Sequence, residues 1–572
     1  MDIDDKLDLL RSLESREQWD AAESLCISLL KLFPRYTPLL LEAAGMVLLR
    51  SSPSVAESLL YRVLAIDPLN TSAYLSLGMA RYEQDDPEDA ELYFRKVLLI
   101  KPLDGEGCRH LGTLLNELGR FDEASKYLAE AYIQNPGSCE VTLSFADSLF
   151  GTGEGQKAHT MYRQVLEGNP EHIDARISIS AVCETLDRLD EALEHLFRAR
   201  ELAPDNSKVY LNLGVVYQRL LKLDEALACY LKALALRPAY PTARWNICQI
   251  HLLQGHYREG FADFDSRFDS VNPVRLRKTV LPLWNGTPAA GKRILVQAEQ
   301  GYGDTLQFVR YIPLLAEAGL KVILENRLTP LNRLLLSLPG LVGICDGRTG
   351  DAESECSIPL LSLPRIFSTS LENIPTHVPY LSPSLEKMAA WRARLAGDSN
   401  FKVGICWAGR KKPDPRRSIP PHLLNILNNF ENISWYSLQV DETDENLSGK
   451  EAGMTDLIDL TGDIHDFEDT AALILSLDLV ITIDSAVAHL AGSLAAPTWL
   501  LLPFVPDWRW LLRRTGSPWY PTIRIFRQPK PGDWLYVLKD ITANLHEILI
   551  TEALAKVQKS VIPAGFWPES SF

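Results

Sequence analysis

The stretch ILVQAEQGYGDTLQFVRY, Ile294–Tyr311, joins a β-branched apolar run to a helix-like pattern through Gly-Tyr-Gly-Asp. A strand RILVQA ends, EQGYGD makes the turn, and Asp304-Thr305 is predicted to begin the helix. Gly301 and Gly303 would permit a positive φ or the close approach of a ligand. The turn is not a GxGxxG fingerprint, because no third glycine follows, and not a Walker A loop, because it has no GK[ST]. Asp304 then has two readings: a helix N-cap or an acidic group at a site.

Around this turn, short β-branched runs alternate with amphipathic stretches: RILVQA, KVILEN and LVGIC, then KVGICWAG, SWYSLQ, LIDLTG, DLVITID and TWLLLP. Continuous apolar strands with intervening helices predict parallel sheets covered on both faces. They fall into two sets, each close to the size of a Rossmann-like domain, with SPSLEKMAAWRARLAGDSN between them as a helix plus linker. Two facing lobes leave a cleft at the carboxyl ends of their strands.

Three further segments point toward that cleft. In VITIDSAVAHLAGSLAAPTW a strand runs into Asp484-Ser485 and a helix carrying His489. Backbone N–H groups at that helix start, with the Ser485 hydroxyl, would form an anion site suited to a diphosphate. His489 could instead be a core histidine bonded to a backbone carbonyl. In KVGICWAGRKKPDPRRSIP a strand delivers Trp407 and Gly409 to a loop bearing Arg410, Lys411, Lys412, Arg416 and Arg417, where arginine can engage phosphate bidentately. The alternative is a solvated loop. The aromatic run LLPFVPDWRWLLRRTGSPWYP could stack a base, and reads more readily as packing between lobes.

The first half has a different order. Pro34, Pro68, Pro102, Pro136, Pro170, Pro204 and Pro238 recur every 34 residues, as do Ala22, Ala56, Ala90, Ala124, Ala158, Ala192 and Ala226. Leu77-Gly78, Leu111-Gly112 and Leu213-Gly214 share one phase. Phe94, Leu128, Tyr162, Leu196 and Tyr230 stand four after the alanine. This is the tetratricopeptide repeat (TPR) pattern of paired helices: small residues let the helices approach, the large residue fills the gap behind, and proline ends the second helix. GHYREGFADFDSRF continues the phase with Gly260 in the alanine column, a degraded eighth repeat. Such an array predicts a concave surface for a peptide or protein partner, with a spacer or dimerisation element as the plainer use. Asn70, Asn116, Asn212 and Asn246 could line it.

The organisation expected is therefore an α-solenoid of seven to eight TPR repeats over 1–268 and a linker over 269–291. An N-terminal Rossmann-like lobe on the acceptor side follows over 292–385, then a C-terminal lobe on the nucleotide side over 386–535. A helix and tail over 536–572 close the chain. The 572 residues carry a net charge of −16, which argues against a general nucleic-acid or membrane-surface binder. Nine singly spaced cysteines, with no Cys-x-x-Cys pair, read as reduced core residues and not as disulfides or zinc ligands. The acidic, amphipathic start lacks a signal-peptide pattern, and no apolar run reaches the ~20 residues of a membrane span. A cytoplasmic location is expected.

Together these motifs resemble a known family. AEQGYGDTLQFVRY, VGICWAG…RRSIP, DFEDTAALI, ITIDSAVAHLAGSLAAPTW, PDWRW and RIFRQPKPGDW, over about 290–535, look like bacterial TPR-linked glycosyltransferases related to lipopolysaccharide heptosyltransferases. The whole architecture is similar to O-linked N-acetylglucosamine transferases, a TPR superhelix fused to a GT-B pair of Rossmann-like domains. The resemblance implies a metal-independent, inverting transfer from a nucleotide-sugar co-substrate, with no other cofactor, to a hydroxyl of a protein acceptor held by the repeats. Flagellin is one candidate acceptor by association with such enzymes. By motif position Asp304 is the catalytic base, and His489 acts beside it on donor phosphate or ribose. Gly301, Gly303, Trp407, Gly409, Lys411, Arg417, Asp484 and Ser485 surround the donor. Ala486 replaces the glycine, and Ala495-Ala496 the Gly-[Lys/Arg], usual in heptosyltransferases, so donor identity stays open. A non-catalytic TPR scaffold with a degenerate GT-B region is the rival. A nucleotide-sugar epimerase is a third class, which would leave the repeats unexplained.

Overall fold

The computed structural model describes residues 3–16, 18–49, 53–270, 274–288, 290–346, 348–410, 414–440 and 453–561. The chain forms two compact units, Met1–Val216 and Tyr217–Phe572.

In the first unit each 34-residue period becomes a pair of helices, for example Thr71–Glu83 with Pro87–Ile100 and Gly105–Glu117 with Phe121–Gln134. The alanine column is wholly buried from Ala22 to Ala192. The glycines act as expected: a Cβ on Gly78 would stand 2.4 Å from Phe94 Cε1, so any larger residue would push the paired helices apart. Three of the four asparagines singled out make local hydrogen bonds. Asn70 caps the helix Thr71–Glu83 by accepting from Ala73 N–H, Asn116 donates to Ser144 O, and Asn212 donates to Lys208 O.

The second unit contains the last repeats. The helix Pro241–Gln254 pairs with Tyr257–Ala262, where a Cβ on Gly260 would meet Leu252 Cγ at 2.5 Å, so the eighth repeat keeps the small-residue contact. The division between units falls inside the helix Ser207–Arg219, earlier than the end of the repeats near 268. The cause is aromatic. Tyr257, Phe261 and Phe264 pack edge-on against Trp508, and Tyr257 stacks on Trp519 and accepts its indole N–H at 3.1 Å. The aromatic run that could have stacked a base is largely spent on this contact.

Two parallel sheets follow. The first contains β1 (Arg293–Gln297), β2 (Lys321–Glu325), β3 (Leu341–Cys345) and β4 (Cys356–Pro359) in the order β3-β2-β1-β4. The second contains β5 (Phe401–Cys406), β6 (Ile433–Ser437), β7 (Leu457–Ile458), β8 (Leu479–Ile483), β9 (Thr498–Leu502) and β10 (Ile523–Arg527) in the order β10-β9-β8-β5-β6-β7. This is the doubly wound arrangement, whose strand order reverses between β1 and β4 and between β5 and β8; ligands bind outside the carboxyl ends at such points. β4 and β10 are absent from the sequence-based strand set.

Within the segment expected to be a linker, residues 274–288 form a strap along the first sheet. Trp284 N–H donates to Ser357 O at 2.9 Å and Ser357 N–H to Pro282 O at 3.0 Å, extending the sheet beside β4. Arg277 forks onto Glu325 and Asp351. The closing helix Trp534–Val561 buries Trp534, Val537, Leu538, Ile541 and Leu545 against the second sheet. Residues 562–572 of the expected tail lie outside the described residues. Among the described residues no helix is long and apolar enough to cross a membrane.

One buried ion pair fastens the end of the repeats to the first sheet. Arg267, in the 3-10 turn Phe264–Phe268, donates to Glu299 at 2.7 Å and to Ser362 at 3.0 Å. Burial, opposed by Arg267, pushes the Glu299 carboxyl from 4.5 up to about 7. The folded state therefore holds this proton to higher pH than the unfolded chain does. Glu299's contribution to stability is full below pH ~4.5 and declines as pH rises to ~7. Glu299→Gln should flatten that part of a Tm–pH curve; an unchanged slope would assign it to other groups.

Candidate functional site

The carboxyl ends of the two sheets enclose a cavity of about 830 Å³, within the range of small-molecule sites. Gly301, Gly303, Asp304, Gly409, Arg417, Asp484, Ser485 and His489 all line it, so most of the residues singled out in sequence converge. Trp407 does not: it is buried in the hydrophobic core of the second sheet. Lys411 and Lys412 lie outside the described residues.

The turn after β1 differs in detail from the expectation. The helix begins at Tyr302, with Gly301 at the N-cap position in extended geometry (φ −75°), so its glycine is not there for a positive φ. Asp304 is the third helical residue. Its Oδ2 accepts from Gly301 N–H at 3.2 Å, tying down the helix start from within. Gly303 serves a helix contact: an added Cβ would stand 2.8 Å from His489 Cδ2. His489 is stacked on Trp510 and cannot swing aside cheaply. Gly303→Ala should cost about 1–3 kcal/mol of stability, read as a lowered denaturation midpoint.

The other oxygen of Asp304 meets a residue that sequence reading misses. Arg509 Nη2 donates to Asp304 Oδ1 at 2.5 Å, Nη1 to Asp507 at 3.0 Å and Nε to Gln307 at 2.5 Å. Arg509 lies in the 3-10 turn Trp508–Trp510 after β9, where Asp507 caps the turn by accepting Arg509 N–H. Burial lowers the guanidinium pKa, but Asp507 and Asp304 carry it above its ordinary value. Burial raises the Asp304 carboxyl, with Arg509 pulling the other way. Arg310 holds the same corner by donating to Trp519 O at 2.8 Å and Tyr380 Oη at 3.0 Å.

On the second sheet, the switch point between β5 and β8 carries the remaining groups. Arg417 lies against Gly409, where a Cβ would meet its Nε at 2.9 Å, and donates to Asp484 O at 3.2 Å. Arg416 instead pairs with Asp414. Burial and the neighbouring Asp507 push the Asp484 carboxyl up to about 6. Ser485 is the N-cap residue of the helix Ala486–Ser493, yet its hydroxyl sits 3.2 Å from Thr482 Oγ1 and does not cap the helix. The first turn of that helix, Ala486 and Val487, faces the cavity. His489 Nδ1 lies 3.0 Å from Tyr520 Oη, and burial together with Arg509 and Arg310 keeps the ring neutral. It offers the cavity an uncharged imidazole, and its partner is a phenol rather than a backbone carbonyl.

The last repeat also contributes. Trp245, Gln249 and Phe264 line the cavity, as do Tyr302 and Phe467, whose rings lie 4.8 Å apart. The arrangement combines a carboxylate held by a guanidinium on one wall, a cation and a helix N-terminus on the other, and aromatic faces between them. It can hold an anionic, ring-bearing ligand and accept a proton beside it.

These features describe a tetratricopeptide repeat protein joined to a two-sheet parallel α/β region. The tetratricopeptide repeat family matches residues 75–138, 149–214 and 207–240. Protein FlbA of Caulobacter vibrioides is 26% identical over 447 residues, covering 72% of this chain and 73% of FlbA. That span is longer than the repeats, so the similarity continues into the sheets. Among solved structures, Pseudomonas aeruginosa pilF is 18% identical and covers 36% of this chain and 92% of its own, with a TM-score of 0.32. YrrB, described as a TPR protein with an unusual peptide-binding site, is 17% identical, with 32% and 95% covered and a TM-score of 0.28.

Proposed function

We propose that this protein is a glycosyltransferase of the GT-B type, moving a sugar from a nucleotide sugar to a hydroxyl of a protein acceptor recruited by the repeats. One observation carries the reading. The facing carboxyl ends of two doubly wound sheets enclose one cavity, with Asp304 on the first-sheet wall and Arg417 with the Ser485 helix start on the second. The motif resemblance over about 290–535 supports the same reading.

In this mechanism Asp304 takes the proton of the acceptor hydroxyl as its oxygen attacks the anomeric carbon. The bond from that carbon to the phosphate oxygen breaks, and the electron pair leaves on the nucleotide. Arg417 and the N–H groups of Ala486 and Val487 stabilise the charge that develops there. Arg509 orients Asp304 and opposes the burial that raises its carboxyl, and neutral His489 supports the helix that carries the donor site. The acceptor, flagellin among the candidates, is selected by the repeats, which raise its local concentration.

The test incubates the protein with UDP-, GDP-, ADP- and CMP-sugars and a bacterial protein extract, and follows sugar incorporation by mass spectrometry. Incorporation with one donor class, lost in Asp304→Asn, is the expected result. No incorporation with any donor would favour the non-catalytic scaffold.

A further inference from the structure

Three columns of the 34-residue repeat meet between successive helix pairs, and the first unit fills that junction in different ways. In one repeat the columns hold Glu57, Arg81 and Asp89; in the next, Glu91, Leu115 and Glu123; two periods later, His159, Cys183 and Glu191. A cation sits at the first two. Arg81 Nη2 is 2.9 Å from Glu57 and its Nε 3.8 Å from Asp89. Arg95 bridges Glu91 at 2.7 Å and Glu123 at 2.5 Å, and Arg120 spans the same two carboxylates. At the third junction the column that held Arg81 holds Cys183.

There the donors change character. His159 Nε2 stands 2.7 Å from Glu191 Oε1, and ligand atoms of His159, Cys183 and Glu191 all lie within 4.8 Å of one another. Cys183 is fully buried, His159 nearly so, and Glu191 is partly open to solvent. Arg188 approaches the far oxygen of Glu191 at 3.8 Å, leaving Oε1 toward the histidine. A thiol, an imidazole and a carboxylate converging from three successive helices form the donor set of a borderline-soft divalent ion, not of an arginine.

We propose that His159, Cys183 and Glu191 bind one Zn²⁺ within the repeat array, with its fourth position open to water on the Glu191 side. The site goes beyond the reading of the cysteines as inert core residues, which rested on the absence of Cys-x-x-Cys spacing. Metal–ligand bonds of about 2.0–2.3 Å place tetrahedral donors roughly 3.5 Å apart, so the His159–Glu191 pair at 2.7 Å must open and the widest separation, within 4.8 Å, must close, each by about 1 Å. Binding replaces the His159–Glu191 hydrogen bond by two metal bonds. It also releases one proton to solvent as the Cys183 S–H becomes a thiolate bound to zinc.

The test titrates the full chain with Co²⁺, then displaces it with Zn²⁺. The expected result is one Co²⁺ per chain with a sulfur-to-cobalt charge-transfer band in the near ultraviolet. Cys183→Ser should abolish the band and His159→Gln should lose the site, while Cys26→Ser, at a buried cysteine elsewhere in the unit, leaves both intact. Zn²⁺ should raise the Tm of the wild type and not that of His159→Gln. Circular dichroism verifies that each variant is folded, and His159→Gln carries the test if Cys183→Ser fails to fold. A wild type without the band, or a band that survives Cys183→Ser, would overturn the site.

Discussion

Asp304→Asn should lower sugar transfer by about 10²–10⁴-fold while leaving nucleotide affinity within a few fold. Three carboxylates approach this corner, and the geometry separates their roles. Asp507 caps its own turn and binds Arg509. Asp484 follows β8 on the second-sheet wall, its carbonyl held by Arg417. Only Asp304 belongs to the first-sheet wall, where one oxygen is fixed by Gly301 N–H and the other by Arg509. Asparagine retains an acceptor for one of those donors, so the helix start persists while the proton acceptor is lost. Under the proposed mechanism kcat falls with little change in donor KM. Asp484→Asn, by contrast, should weaken donor binding first. Full transfer by Asp304→Asn would move the base to another group.

Arg267→Ala should destabilise the second unit by about 3–5 kcal/mol, because it leaves Glu299 buried without its counter-ion. The loss extends beyond the pair, since the same guanidinium donates to Phe264 O, Asp265 and Ser362 and joins the last repeat to the first sheet. Tryptophan fluorescence isolates this unit well: of the twelve tryptophans, only Trp19 precedes residue 217. The denaturation midpoint by fluorescence should fall steeply in Arg267→Ala and recover in large part in Arg267→Met with Glu299→Leu, where the pair is replaced by apolar groups. A midpoint within experimental error of the wild type would mean that Glu299 relaxes to water when Arg267 is removed.

What the sequence discloses here follows from which signals are local. The repeats are legible because a 34-residue column of alanine and glycine is a packing requirement written once per period. The strands RILVQA and DLVITID are legible because burial on both faces makes them continuously apolar. β4 escapes because CSIP is short and ends in Pro359, and β10 because Arg524 interrupts its apolar run. The cavity is half legible. Asp304, Asp484 and Ser485 follow strand ends, and that position marks them. Arg509 does not, being one charged residue in an aromatic run whose meaning depends on a partner 205 residues away. Gly303 is conspicuous, but its reason, the ring of His489 on another helix, is tertiary. Trp245 and Gln249 are hidden more thoroughly, because repeat periodicity predicts helix contacts and says nothing of a repeat that lines a cavity of the α/β region.

The proposal that the cavity holds a nucleotide sugar is tested most directly by a thermal-shift panel of UDP, GDP, ADP, CMP and their common sugar conjugates, on the wild type and on Ser485→Asp. A ligand that binds only the folded state raises Tm by mass action. One nucleotide class should raise the wild-type Tm, and the shift should vanish in Ser485→Asp, where a carboxylate meets the phosphate at the helix start. A flat panel on the wild type, or a shift that Ser485→Asp leaves untouched, would contradict a nucleotide-sugar site at this position.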